Sequence, residues 1–263
     1  MANKKDYFIW DDEKSKLNIS CLRFDKEKDI VELHLRKLME AIDNVKSEYA
    51  TYALNGISIP PKYRTKGLIK HTERVFAYEL YHQWSNIIDK RTWVINAEIR
   101  KYLECFKDNL MKKVKIVNDE NPNNGTNGYD QNKVWNFPDL VLHKGQNKNY
   151  QMIACEIKRK DRLKYDFVKD IETLYWLTRS ELIDNNSNDM DSLEPYRTGV
   201  FLLLNGNFED LKSIVKESQK IFNEKKIELD KTKNIICVFY NRINNHNEIG
   251  FQSLFNINNL LYK

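Results

Sequence analysis

The chain has 263 residues, of which 41% are hydrophobic and 31% charged, with a formal net charge of +5. This is a globular composition, with enough apolar surface to bury a core, and it lies outside the range of disordered chains. No apolar run approaches the roughly 18 residues needed to cross a bilayer, and Met1-Ala2-Asn3-Lys4-Lys5-Asp6 leads only to Phe8-Ile9-Trp10 and then acidic residues, which makes no signal-peptide core. The expectation is a cytoplasmic protein with no membrane partner. Cys21, Cys105, Cys155 and Cys237 form no C-x-x-C pair, and the five histidines show no zinc spacing, so the cysteines read as small buried hydrophobes in a reducing compartment.

In chain order, apolar residues at helical spacing (Ile30, Leu33, Leu38, Ile42, Val45, Tyr49 and Tyr52) predict one long amphipathic helix over residues 26–54. Val31, Leu35 and Met39 add a second stripe, which calls for packing against the core or against another copy of the chain. A basic Gly/Pro loop follows over residues 55–70 and includes Lys62, Arg64, Lys66 and Lys70. Thr72 is then the expected N-cap of a helix reaching about Asp89, with Phe76, Ala77, Leu80, Tyr81, Trp84, Ile87 and Ile88 on its inner stripe. Residues 91–99 alternate as a strand does. Residues 102–115 are ambiguous between helix and strand, and 118–133 should form a long exposed loop.

Two strands over 137–143 and 150–158 are joined by Lys144-Gly145-Gln146-Asn147 and predict a β-hairpin. A helix over 163–180, an apolar strand over 198–204, a helix over 208–223 and an apolar strand over 234–240 complete the reading. Strands apolar on both faces and separated by helices belong to a mixed sheet covered on both sides. The fold class is therefore α/β, a mixed central sheet flanked by helices with an extra N-terminal helix. It divides into an N-terminal helical extension over 1–60 and a main domain over 61–263.

Charges fall on the central hairpin. By strand alternation Glu156 and Lys158 share a face with Ala154, while Ile153, Cys155 and Ile157 point the other way. Carboxylates and an ammonium on so apolar a strand must be paired with each other or gathered around a metal, because unpaired burial is costly. Asp139 and Glu156, on neighbouring strands, can converge on one ion, with the Ile157 carbonyl next in reach. Hard Mg²⁺ takes one or two carboxylates, with water and phosphate completing its shell. Lys158 lies two residues beyond Glu156, about 7 Å along the same face, where an ammonium can meet an attacking water or a charged phosphorane.

Pro138-Asp139 followed by Glu156-Ile157-Lys158, on adjacent strands in this order of elements, resembles the PD-(D/E)XK superfamily of restriction-endonuclease-like nucleases. The resemblance covers residues 71–206. It implies an αβββαβ core and a Mg²⁺-dependent nuclease, with Mn²⁺ as a substitute. It also implies DNA as the substrate, a 5′-phosphate product, and a homodimer for double-strand cutting. It makes Asp139, Glu156 and the Ile157 carbonyl the metal ligands, Lys158 the group facing the water, and Glu73 a further acidic residue from the first helix. Glu79, off the inner stripe of that helix, is the weaker candidate.

Plainer readings stand beside these. Asp139 after Pro138 caps a strand start, Glu156 and Lys158 form an ion pair on an edge strand, and Glu73 is a first-turn acid favoured by the helix dipole. His143 reads as a satisfied strand neighbour. The basic run Lys158-Arg159-Lys160, Arg162 and Lys164 reads either as a phosphate-contacting flank or as a solvated charge run. At the level of function the alternatives are an RNase, or a catalytically inactive member that binds nucleic acid or serves assembly.

Overall fold

The computed structural model describes residues 6–10, 27–46, 49, 66–97, 138–145, 147–161, 164–178, 195–224, 232–243 and 246–261. The expected segments 102–115 and 118–133, together with Lys62, Arg64, Arg162, Cys21 and Cys105, lie outside them.

Seven strands form one mixed sheet: β1 (Phe8–Ile9), β2 (Trp93–Ala97), β3 (Leu140–Lys144), β4 (Asn147–Arg159), β5 (Thr198–Leu204), β6 (Ile235–Ile243) and β7 (His246–Ser253). Their spatial order is β1-β7-β6-β5-β4-β3-β2. The three central strands, β4, β5 and β6, run parallel, and the pairs flanking them are antiparallel. Parallel neighbours need crossover connections. These are α3 (Lys164–Leu177) between β4 and β5, and α4 (Phe208–Glu224) between β5 and β6. The expected β3–β4 hairpin is present, with Leu140 opposite Cys155 and Val141 opposite Ala154.

Both faces of the sheet are covered. Against one face lie α1 (Lys28–Asn44) and α2 (Lys66–Ile87), whose Val31, Leu35, Leu38, Ile42, Phe76, Leu80 and Trp84 meet Ile153, Cys155, Ile157, Val200, Leu202 and Val238. Against the other lie α3, α4 and α5 (Leu254–Leu260), whose Phe167, Ile171, Leu174, Leu211, Val215 and Ile257 meet Ala154, Phe201, Leu203, Cys237 and Phe239. All seven residues of β5 are buried, as its two-faced apolar sequence requires. The alternation expected for β4 holds: Ile153, Cys155 and Ile157 belong to the first core and Ala154 to the second. Cys155 and Cys237 are buried free thiols.

Five expectations need correction. The N-terminal helix begins at Lys28 because Glu27 adopts a left-handed conformation, φ 50°, and it ends at Asn44 because Val45 turns extended. Its inward stripe is Val31, Leu35, Leu38, Met39 and Ile42, whereas Ile30 and Leu33 are exposed. Tyr81, expected on the inner stripe of α2, is exposed. α2 starts at Lys66, so Thr72 lies within the helix and does not cap it. A capping residue type stops a helix only where the preceding residues leave helical geometry, and the glycine in this first turn, Gly67, costs only about 1 kcal/mol. Finally, β1, β7 and α5 belong to the fold without having been foreseen.

Among the described residues no helix is long and apolar enough to cross a membrane.

Candidate functional site

Beyond Cys155, β4 outruns β3 and presents an open edge. β3 pairs with β4 only from Leu140 onward, so among the described residues the last of β4 have a strand, β5, on one side alone. Carboxylates from two different elements close the gap. Ile157 N–H donates to Asp139 Oδ2 at 2.7 Å, and Arg159 N–H donates to Glu73 Oε1 at 3.1 Å. A strand residue turns its N–H and C=O to the same edge, so the Ile157 carbonyl also faces the Asp139 side. Asp139 thus comes from the turn before β3, and Glu73 from the inner stripe of α2, where it is buried.

Glu156 and Lys158 project from β4 on the face covered by α3. Glu156 is 2% exposed. Its Oε2 is 3.9 Å from Lys158 Nζ, and its Oε1 is buried with no hydrogen-bond partner among the described residues. A buried acceptor left in this state costs about 1–3 kcal/mol. Lys158 Nζ is closest to Asp170 Oδ2 of α3, at 3.1 Å. Asp170 is a site residue that motif reasoning missed, although the sequence carried a signal: it sits three residues after Phe167 and four before Leu174, on the buried stripe of its helix.

The electrostatics of the cluster follow from its burial. Desolvation pushes the Glu156 carboxyl well above the usual range, with Asp170 and Asp139 adding to the rise and Lys158 opposing it. Desolvation likewise pushes Asp170 up to about 7, against the pull of Lys158. For Lys158 burial alone would favour the neutral amine, but Asp170, Asp139, Glu156 and Glu73 together hold the ammonium above its ordinary value. Glu73, Asp139, Glu156 and Asp170 therefore all act on the Lys158 ammonium, and Lys169 adds a weaker positive charge near Glu156. The cluster lies at the C-terminal end of β4, and open α/β sheets place their ligands beyond the carboxyl ends of their strands.

The donor set offered to a hard cation is all oxygen: Asp139, which precedes β3 and so is not on the strand expected for it, and Glu156 on β4, with the Ile157 carbonyl beside them. Among the described residues no group of three or more His, Cys, Asp or Glu side chains is gathered as a metal cage. Mg²⁺, however, uses one or two carboxylates and fills its shell with water and phosphate, and the unpartnered Glu156 Oε1 is the buried atom such an ion would satisfy.

Other expected residues have plainer positions. Glu79 accepts from Gln83 at 2.7 Å and pairs with His82 at 3.7 Å, on the outer side of α2. His143 meets the Asn96 side-chain amide through Nε2 at 2.9 Å and the Lys144 carbonyl through Nδ1 at 3.2 Å, as a satisfied neighbour would. The described residues of the basic run after the motif strand are paired with acids: Arg159 with Asp161 at 3.0 Å and Lys160 with Asp210 at 3.1 Å. Asp210 also exchanges hydrogen bonds with Asn207 in a capping box at the start of α4. Comparison with protein-family models, with curated proteins and with solved structures finds no match to this chain.

Proposed function

We propose that the chain is a Mg²⁺-dependent nuclease of the PD-(D/E)XK type, hydrolysing phosphodiester bonds of DNA. The observation that carries the reading is Glu156: a buried carboxylate with one oxygen unpartnered, next to Asp139 across the hairpin and 3.9 Å from Lys158. The order α2, β2, β3, β4, α3, β5 is consistent with the αβββαβ core of that superfamily. On this reading Asp139, Glu156 and the Ile157 carbonyl hold the ion. When bound, a metal of this kind polarises the phosphate and makes its water a better nucleophile. Lys158 presents its ammonium to the phosphate oxygens or to the attacking water, and the burial of its stem keeps that charge in a poorly solvated place where it acts strongly. Glu73 holds the end of β4 through the Arg159 amide, and so fixes the strand that carries both Glu156 and Lys158.

A second reading has its own observation. Asp139 and Glu73 each spend a carboxylate oxygen on a backbone amide of β4, and Asp170 holds Lys158. Edge closure and ion pairing would account for these charges in a non-catalytic module that binds nucleic acid or serves assembly.

The deciding experiment is cleavage of plasmid and linear DNA, with an RNA arm, in Mg²⁺ or Mn²⁺. Lys158→Ala and Asp139→Ala are each expected to lower the rate by at least about 10²-fold, the scale of removing one charge-stabilising group. Equal rates in wild type and both variants would remove these residues from the chemistry. An RNA-only product pattern would move the substrate to RNA. Calorimetric titration showing no Mg²⁺ binding by folded protein would favour the non-catalytic module.

A further inference from the structure

Asp170 is the one buried acid of the cluster that the proposed chemistry does not use. It belongs to α3, the crossover helix that follows the motif strand, and is 3% exposed. Its Oδ2 lies 3.1 Å from Lys158 Nζ, nearer than the 3.9 Å from that nitrogen to Glu156 Oε2. The side chain of Lys158 is 17% exposed, so its stem is packed and its head is held by whichever carboxylate lies nearest. A four-carbon ammonium is a flexible point charge. Beside Glu73, Asp139 and Glu156, it has several places to go, and a strand residue alone cannot decide among them.

We propose that Asp170 is the positioning residue for Lys158: it clamps the ammonium on the α3 side of the site and leaves Glu156 Oε1 clear for its own ligand. The proposal rests on the nuclease reading for its catalytic consequence but not for its geometry. α3 crosses over from β4 to β5 and packs on the face that carries Glu156 and Lys158. Phe167, Ile171 and Leu174, all buried, anchor it there. A carboxylate on that anchored helix is a rigid reference for the lysine, whereas Glu156 shares the lysine's own strand. Without Asp170 the ammonium is free to fall onto Glu156 and occupy the carboxylate from which the motif draws its function. A displacement of about 1 Å in such a group is enough to lower a rate by about 10²-fold.

The test has two arms on the full chain. In the first, free of any activity, the lysines of folded wild type, Asp170→Asn and Asp170→Glu are labelled with an amine-acylating reagent and quantified by mass spectrometry. Exposed Lys160 serves as the internal standard for the reagent, and circular dichroism checks that each variant is folded. Loss of the clamp in Asp170→Asn is expected to raise the labelling of Lys158 severalfold as its head leaves the packed α3 side of the site, and Asp170→Glu should restore much of the protection. Unchanged Lys158 labelling in Asp170→Asn overturns the proposal.

In the second arm, steady-state DNA cleavage by Asp170→Asn is expected to show kcat reduced by about 10–100-fold with KM within about twofold, partly recovered in Asp170→Glu. Wild-type kcat in Asp170→Asn overturns the positioning role. Faster labelling together with no cleavage by wild type leaves the clamp standing and fells the nuclease reading instead. A loss of structure in Asp170→Asn would show in its circular dichroism, and Asp170→Glu then carries the test: Lys158 labelled as fast as exposed Lys160 in that folded variant counts against the clamp.

Discussion

At the scale of single residues, burial sets the chemistry of this protein more than sequence neighbourhood does. His34 on α1 is 1% exposed, and its ring packs edge-on against Trp93 with centroids 4.2 Å apart. Neither ring nitrogen has a hydrogen-bond partner among the described residues. Desolvation, with Lys37 adding to it, lowers its pKa from 6.5 to about 4. The folded chain thus holds His34 neutral where an unfolded chain would protonate it. The His34 contribution to stability is therefore undiminished above pH 6.5, falls as the pH drops from 6.5 towards 4 and stops falling below about 4, while the raised Asp170 and Glu156 carboxyls act in the opposite sense and lose stability as the pH rises. The full loss from His34 corresponds to about 3 kcal/mol. Urea unfolding of wild type and His34→Phe between pH 4 and 7 checks this: the raised Asp170 and Glu156 carboxyls titrate in both proteins and cancel in the comparison, so wild type should lose stability relative to the variant as the pH falls, and a pH-independent difference would show that His34 does not carry the effect. The same contrast explains which residues of the site were legible. Asp139, Glu156 and Lys158 stood out because a charge on an apolar strand violates the period-two pattern. Asp170 makes the same violation on a helix, but a helical stripe is broad and tolerates an acid at its margin, so the signal was weaker.

At the scale of elements, the sheet was readable where strands are apolar on both faces and unreadable where they are short or broken. β5 and the start of β6 were plain. β7 was not, because His246-Asn247-Glu248-Ile249-Gly250-Phe251 offers only two apolar residues with a glycine between them, and α5 spans seven residues with three asparagines. That glycine is a packing requirement. Gly250 lies opposite Phe239 in the β6–β7 pair, and a Cβ placed on it would come within 2.2 Å of the Phe239 ring. The ring fills the space where a side chain would stand, and its edge meets Tyr7 at 5.3 Å between centroids, so it has little room to withdraw. Gly250→Ala is expected to destabilise the chain by about 1–3 kcal/mol, the usual range for overpacking a core. A urea midpoint lowered at constant slope is the corresponding observation; a midpoint equal to that of wild type would show that the ring has another place to go. β1, docked on β7 by Phe8 opposite Phe251, should loosen with it.

At the scale of the whole molecule, the sign of the charge differs between the chain and its site. The chain carries +5, yet the end of β4 gathers Glu73, Asp139, Glu156 and Asp170 about Lys158, and the next two basic residues, Arg159 and Lys160, are engaged by Asp161 and Asp210. The buried stripe of α1 is used within its own chain, so that stripe does not call for a second copy. On the proposed nuclease reading, a phosphate approaching the site would meet an acidic surplus unless a cation intervenes, while the excess of positive charge elsewhere would draw DNA towards the surface without regard to sequence. DNA binding should therefore be metal-assisted. In fluorescence anisotropy at fixed ionic strength, Kd for a short duplex is expected to be about tenfold tighter, near 1.4 kcal/mol, in Ca²⁺ than in EDTA. Ca²⁺ offers the same oxygen-ligand chemistry as Mg²⁺ in a looser shell. Glu156→Gln, which neutralises the carboxylate with the unpartnered oxygen, should bind DNA equally in both buffers. Equal wild-type affinity with and without the cation would place the DNA away from the end of β4, because no phosphate would then be exchanging repulsion by these acids for attraction by an ion they hold.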